Sequence, residues 1–98
     1  MIRNVVLGVL KPGVTTERLD AALAAVRGLA VTGLDARVVA GRDLGLRQGN
    51  ASYAITVDVA SEADLVRFDR DPEHDRVRRE LLVPISRSMQ QVQFRLPG

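Results

Sequence analysis

A chain with one histidine and no cysteine holds few groups that can exchange protons or form bonds, which bounds its chemistry at once. His74 is the side chain whose ordinary pKa lies nearest neutrality. It stands three residues before Val77 and seven before Leu81, on the apolar stripe of an expected helix, and so is expected to point inward. Asn4 shares one face of the first strand with Ile2, Val6 and Leu10, which carries an amide toward the same layer. Tyr53 shares a face of a later strand with Ile55 and Val57 and brings a hydroxyl there. Three polar groups converging on one apolar layer suit proton removal beside a carbonyl: an imidazole takes the proton, and an amide and a hydroxyl bond to the enolate oxygen. Each group also has a plainer reading. His74 can be a packing residue at a helix start, Asn4 can pair with backbone or a buried water, and Tyr53 can be a rim tyrosine.

Composition removes several other chemistries. The absence of Cys excludes disulfides, thiolate metal sites and a Cys nucleophile, and one His cannot build an all-His metal site within one chain. Thirteen Arg and one Lys against twelve acids give a net charge of only +2, so nucleic acid is not an expected partner. The densest basic stretch, Arg76, Arg78 and Arg79, is interleaved with Glu73, Asp75 and Glu80, and Asp75/Arg79 and Arg76/Glu80 have the spacing of ion pairs on a solvated helix face. The glycines at 41, 45 and 49 fit no phosphate-binding motif. No apolar run has the length of a membrane span, and the segment before Lys11 is too short for a signal peptide. A cytoplasmic location without membrane association is therefore expected, and the Asn50-Ala51-Ser52 sequon is read as chance.

The elements that must position these residues follow from periodicity. Residues 2–10 are almost wholly apolar and end at Lys11-Pro12-Gly13, a strand and turn. From an N-cap at Thr15 or Thr16, Leu19, Ala22, Leu23, Val26 and Ala30 mark a helix that ends near Gly28 to Gly33. Residues 35–40 form a short strand, 41–50 a polar loop and 51–60 an alternating strand. Ser61 with Asp64 opens a short helix. Asp71-Pro72 opens another, running to about Val83 with Val77, Leu81 and Ile85 as its stripe. Residues 89–96 form the last strand. The order βαββα(α)β predicts one domain over residues 1–98, an α+β ferredoxin-like fold with a four-stranded antiparallel sheet and helices on one face.

A chain of 98 residues buries only about 65% of the surface it exposes when unfolded. The first strand sharpens the problem: with Ile2, Val6 and Leu10 toward the helices, Val5, Leu7 and Val9 point to water. A second copy of the same sheet is the simplest cover, which predicts a homodimer through the sheet face.

Met1-Ile2-Arg3-Asn4-Val5-Val6-Leu7, the turn Leu10-Lys11-Pro12-Gly13-Val14-Thr15, the loop with Gly41-Arg42-Asp43 and Gly49-Asn50, and Asp71-Pro72-Glu73-His74 before an amphipathic helix follow one another in a specific order. Over essentially its whole length the chain resembles the stress-responsive A/B barrel domain family, abbreviated Dabb. The resemblance implies a dimeric α+β barrel with no cofactor. Family members include stress-associated oligomers and the olivetolic acid cyclase type, which closes a linear polyketide by aldol condensation. In that type a helix His acts as base, assisted by a Tyr and by a His on the first strand. His74 matches the helix His; Phe68 stands where the Tyr would be, Asn4 where the first-strand His would be, and Asp71 replaces another family His. Tyr53 is then the candidate to supply the missing hydroxyl, and Leu23, Val26, Val38, Phe68, Val77 and Ile85 are expected to line the pocket. The implied activity is cofactor-independent cyclisation, aldol-type or isomerising chemistry on a polyketide-like carbonyl compound through His74. The alternative is a non-catalytic stress-responsive or structural homodimer with no substrate; a cofactor-free oxygenase or haem-degrading enzyme rests on analogy of architecture alone.

Overall fold

The computed structural model describes residues 1–97. Strand β1 (Ile2–Leu10) leads through a turn at Gly13, whose positive φ of 83° suits a residue without a side chain, into helix α1 (Thr16–Arg27). Thr15 caps α1 by accepting from the Arg18 amide at 3.2 Å. Then come β2 (Arg37–Arg42), β3 (Tyr53–Val59), α2 (Glu62–Arg70) capped by Ser61, and α3 (Pro72–Val77) capped by Asp71. The sheet has the order β2-β3-β1-β4, all pairs antiparallel, with β4 spanning Ser86–Arg95. This is the expected ferredoxin-like fold, with three helices against one sheet face. Ile2, Val6, Ile55, Val57 and Val59 of the sheet and Leu19, Leu23, Val26, Phe68 and Val77 of the helices form its buried core. Among the described residues, no helix is long and apolar enough to cross a membrane.

Two segments differ from expectation. The helix after Asp71 does not continue to Val83 as a regular α-helix; Arg78–Leu82 form a π turn and Val83–Ile85 a 3₁₀ turn. The π turn uses one more residue than an α turn, and the Val83 amide accordingly donates to the Arg78 carbonyl. The residue that falls inward after Val77 is therefore Leu82, at 5% exposure, rather than Leu81, which is only partly buried. Pro84 has no N–H to extend the helix, and the chain turns into β4 there. Strand β4 begins at Ser86 rather than Met89, because a bulge at Arg87 lets Ser86 pair with Leu10 while Ser88 pairs with Val9.

Pairing with β1 also decides which face of β4 looks inward. Asn4 lies opposite Gln93 and Val6 opposite Gln91, whereas Val5 lies opposite Val92 and Arg3 opposite Phe94. This edge strand therefore turns Gln91 and Gln93, with Met89, toward the helix side, and Val92 and Phe94 away from the chain's own core. Leu7, Val92 and Phe94 are 44%, 55% and 45% exposed on that open face.

Candidate functional site

Asp71 fixes the start of α3 and with it His74: the Asp71 carboxylate accepts the His74 amide at 3.0 Å, and Pro72 occupies the first helical position. One turn earlier in space, α2 contributes Phe68, whose ring centroid lies 4.7 Å from that of His74 at an interplanar angle of 51°. The packing leaves His74 Nδ1 buried with no hydrogen-bond partner among the described residues. An orphaned buried nitrogen costs stability, so a site that keeps one is marked out.

His74 borders a cavity of about 350 Å³ between the sheet and the helices. Its floor is Asn4 and Val6 of β1 with Ile55 and Val57 of β3, and its roof includes Val26, Phe68, Val77 and Leu82. Met89 and Gln91 close the side toward β4, while the exposed residues Asp69, Asp75 and Arg78 lie at the rim. Asp75 is engaged by Arg79 at 2.8 Å. Asn4 is 7% exposed, and its Oδ1 accepts a 2.6 Å bond from Gln93 Nε2. The cavity thus has an apolar body with an amide in its floor and an imidazole in its wall, a volume and a lining of the kind that takes a small organic molecule. No group of three His, Asp or Glu among the described residues could hold a metal ion.

The structure brings His74 and Asn4 to this one cavity, with Val26, Phe68 and Val77 in its walls. Tyr53 is placed elsewhere. It does point to the helix side of the sheet and is 1% exposed, but it is not among the residues that wall the cavity. Its hydroxyl lies 2.7 Å from Ser86 Oγ, and Ser86 donates in turn to the Leu82 carbonyl at 2.7 Å. Ser86 has a single proton to give, so Tyr53 is the donor in a chain that ends on the π turn. Burial pushes the phenol pKa up, and the bond to Ser86 offsets part of that. Leu23 and Ile85 also lie outside the cavity, as core residues at 2% exposure each, and Val38 packs on the core from edge strand β2. The shift has a physical reason: the π turn replaces Leu81 by Leu82 at the roof, and Tyr53 is drawn to the polar partner at the start of β4. Gln91 and Gln93 were not among the expected site residues. Their signal was the alternation of β4, whose inward face only the pairing with β1 decides.

A ferredoxin-like α+β chain with an open sheet face and a cavity beneath its helices defines the class. Within it, the chain belongs to the stress responsive A/B barrel domain family, whose profile matches residues 2–96. A dimeric ferredoxin-like protein of unknown function from Thermobifida fusca is 27% identical, with a TM-score of 0.87, the match covering 97% of this chain and 90% of that one. A Dabb family protein from Mesorhizobium loti superposes with a TM-score of 0.78 at 18% identity over 99% and 97% of the two chains. The hydroxynitrile lyase of Passiflora edulis does so with a TM-score of 0.79 at 19% identity over 95% and 90%. No functionally curated protein matches the chain by sequence.

Proposed function

We propose that the protein is a homodimer, joined through its open sheet face, whose cavity binds a small carbonyl compound and in which His74 acts as general acid and base without a cofactor. The observation that carries this reading is the joint placement of His74, with its orphaned Nδ1, and the Asn4 amide on one ligand-sized cavity. Nδ1 is buried out of reach, so proton exchange with a ligand falls to Nε2. His74 removes a proton from the carbon beside the carbonyl, the Asn4 NH₂ bonds to the enolate oxygen, and the imidazolium returns the proton to carbon or to a departing oxygen. Cyclising, aldol-type and isomerising reactions of polyketide-like substrates all share that first step. The Passiflora edulis enzyme is a lyase on the same fold, which supports reading the fold as able to carry an enzyme activity and nothing narrower.

His74 is the one histidine of the chain, so its imidazole C–H signals are assigned without ambiguity in an NMR spectrum. Acetophenone is a suitable probe, being a compact aryl ketone with exchangeable methyl protons. Added to the wild-type protein in D₂O, it is expected to shift the His74 signals and to take up deuterium about 10²- to 10⁴-fold faster than with His74→Gln. Unmoved imidazole signals at millimolar acetophenone, or equal deuterium uptake with both proteins, would overturn the catalytic reading. The inverted face of β4 favours a second reading in that event, a structural homodimer without substrate.

A further inference from the structure

Gly41 stands inside β2 with no local reason to be glycine. It pairs with Ala54 in an unbroken register, its φ is not in the left-handed region, and a Cβ built on it would meet nothing within 4 Å. Glycine weakens a strand interior, and where no bulge or bend calls for it the position suits a close approach from outside the sheet. Gly41, Ala54 and Leu7 form one row across the open face, which sets two small residues side by side at the β2 corner. They floor a hollow of about 350 Å³, walled by Leu7 and by Leu44 of the loop after β2. That loop is a firm wall: the Asp43 carboxylate accepts from the Gly45 amide at 2.9 Å and from Asn50 Nδ2 at 3.0 Å. Leu44 is nonetheless 82% exposed. The complementary shape stands on the same face. Phe94, its bulkiest apolar side chain, lies opposite Arg3 on edge strand β4, at the corner diagonal to Gly41. A two-fold axis that runs between two facing sheets and crosses this diagonal at a right angle carries each Phe94 over the other copy's Gly41, making two identical contacts at once. A cavity of roughly 150 Å³ already accepts benzene, so a phenyl ring has room in the hollow. We infer that the hollow over Gly41 and Ala54 is a socket for Phe94 of a second copy of this chain, and that this contact sets the register in which the two sheets meet. The inference rests on the homodimer proposed above and adds to it which residues meet; it is independent of what the cavity under the helices binds.

Exchanging the sizes of the two partners tests the socket. Gly41→Leu fills the hollow without entering the chain's own core, and is expected to keep the wild-type far-UV circular dichroism while raising the dimer dissociation constant at least about tenfold in sedimentation dilution series. Ala54→Leu enters the hollow from the neighbouring strand and should do the same, which carries the test from a second backbone position. Phe94→Ala alone should also weaken the dimer, because it leaves the socket empty. Combined with Gly41→Leu it should strengthen it: the leucine takes the space that the ring has vacated, and the double variant dimerises at least about tenfold more tightly than Gly41→Leu alone. Losses from Gly41→Leu and Phe94→Ala that simply add, or leucine variants at 41 and 54 that dimerise like the wild type, overturn the inference while leaving the homodimer in place. A wild-type chain that is monomeric at micromolar concentration removes the homodimer itself, and the socket with it.

Discussion

Arg3 and Asp58 face each other across β1 and β3 on the open side of the sheet, joined by two parallel bonds, Nε to Oδ1 at 2.8 Å and Nη2 to Oδ2 at 2.9 Å. The fork geometry suits a guanidinium and a carboxylate, and the Asp58 side chain is only 10% exposed. The bond from Arg3 holds the Asp58 carboxyl below its ordinary pKa despite the opposing effect of burial. A carboxyl depressed by folding adds stability that is full above the unfolded-state pKa and is lost as pH falls through the folded one. Urea unfolding of the wild type and Asp58→Asn should therefore differ most near about pH 7 and converge toward about pH 3, below the ordinary carboxylate range. A difference that is constant across this interval would show that the pair contributes nothing through its charge.

The open face should hold two copies together. Val5, Leu7, Val92 and Phe94 make it apolar, and Leu7→Asp or Phe94→Lys is expected to give a monomer or an unfolded chain by sedimentation and light scattering. Val83→Asp, at a comparably exposed residue in the helical segment, should remain dimeric. A stable wild-type monomer at micromolar concentration would remove the assembly proposed above.

Gly8 lies opposite Tyr53 in the β1–β3 register, and a Cβ at Gly8 would collide with the far end of the phenol ring. Gly8→Ala is expected to cost about 1 to 3 kcal/mol through overpacking. Tyr53→Leu shortens the ring side chain, so Gly8→Ala should cost clearly less in that background. Equal costs in the two backgrounds, measured by denaturant unfolding, would show that the ring yields without strain.

Asp71→Ala removes the acceptor of the His74 amide and should cost about 0.5 to 2 kcal/mol in thermal unfolding. The His74 imidazole signals should broaden in the same variant, since the cap sets the entry of the helix that carries the ring. An unchanged melting curve would show the cap to be dispensable.

His74→Phe replaces a ring with an orphaned nitrogen by one with none, beside Phe68. The variant should be more stable by about 1 kcal/mol, because a buried polar atom without a partner is costly. Acetophenone binding should weaken at the same time, the pattern of a residue kept for function at the expense of stability. A less stable variant would assign His74 to packing.

Much of this was legible in the residues. The strands, the caps at Thr15, Ser61 and Asp71, and the inward faces of Asn4 and Tyr53 follow from alternation and from side chains that compete for helix-start amides. The π turn was not legible, because Leu81 and Leu82 are adjacent and either continues a stripe from Val77. Tyr53 was aimed correctly in face but not in partner: its hydroxyl answers to Ser86, a residue that gains its position only once the π turn and the Arg87 bulge have set the start of β4. The pairing of Gln93 with Asn4 spans nearly the whole chain, and no local pattern reports it.

The neighbours of β1 impose an order of events on the newborn chain. This strand precedes the other three in the chain, yet it lies between β3 and β4, with Ile2 opposite both Val59 and Arg95, and the Leu96 amide bonds to the Met1 carbonyl at 3.0 Å. A central strand of nine mostly apolar residues must then wait, one edge unpaired, until residues 86–95 have left the ribosome. During that interval its unpaired edge is a template for any other extended chain, so aggregation competes with the pairing of β4.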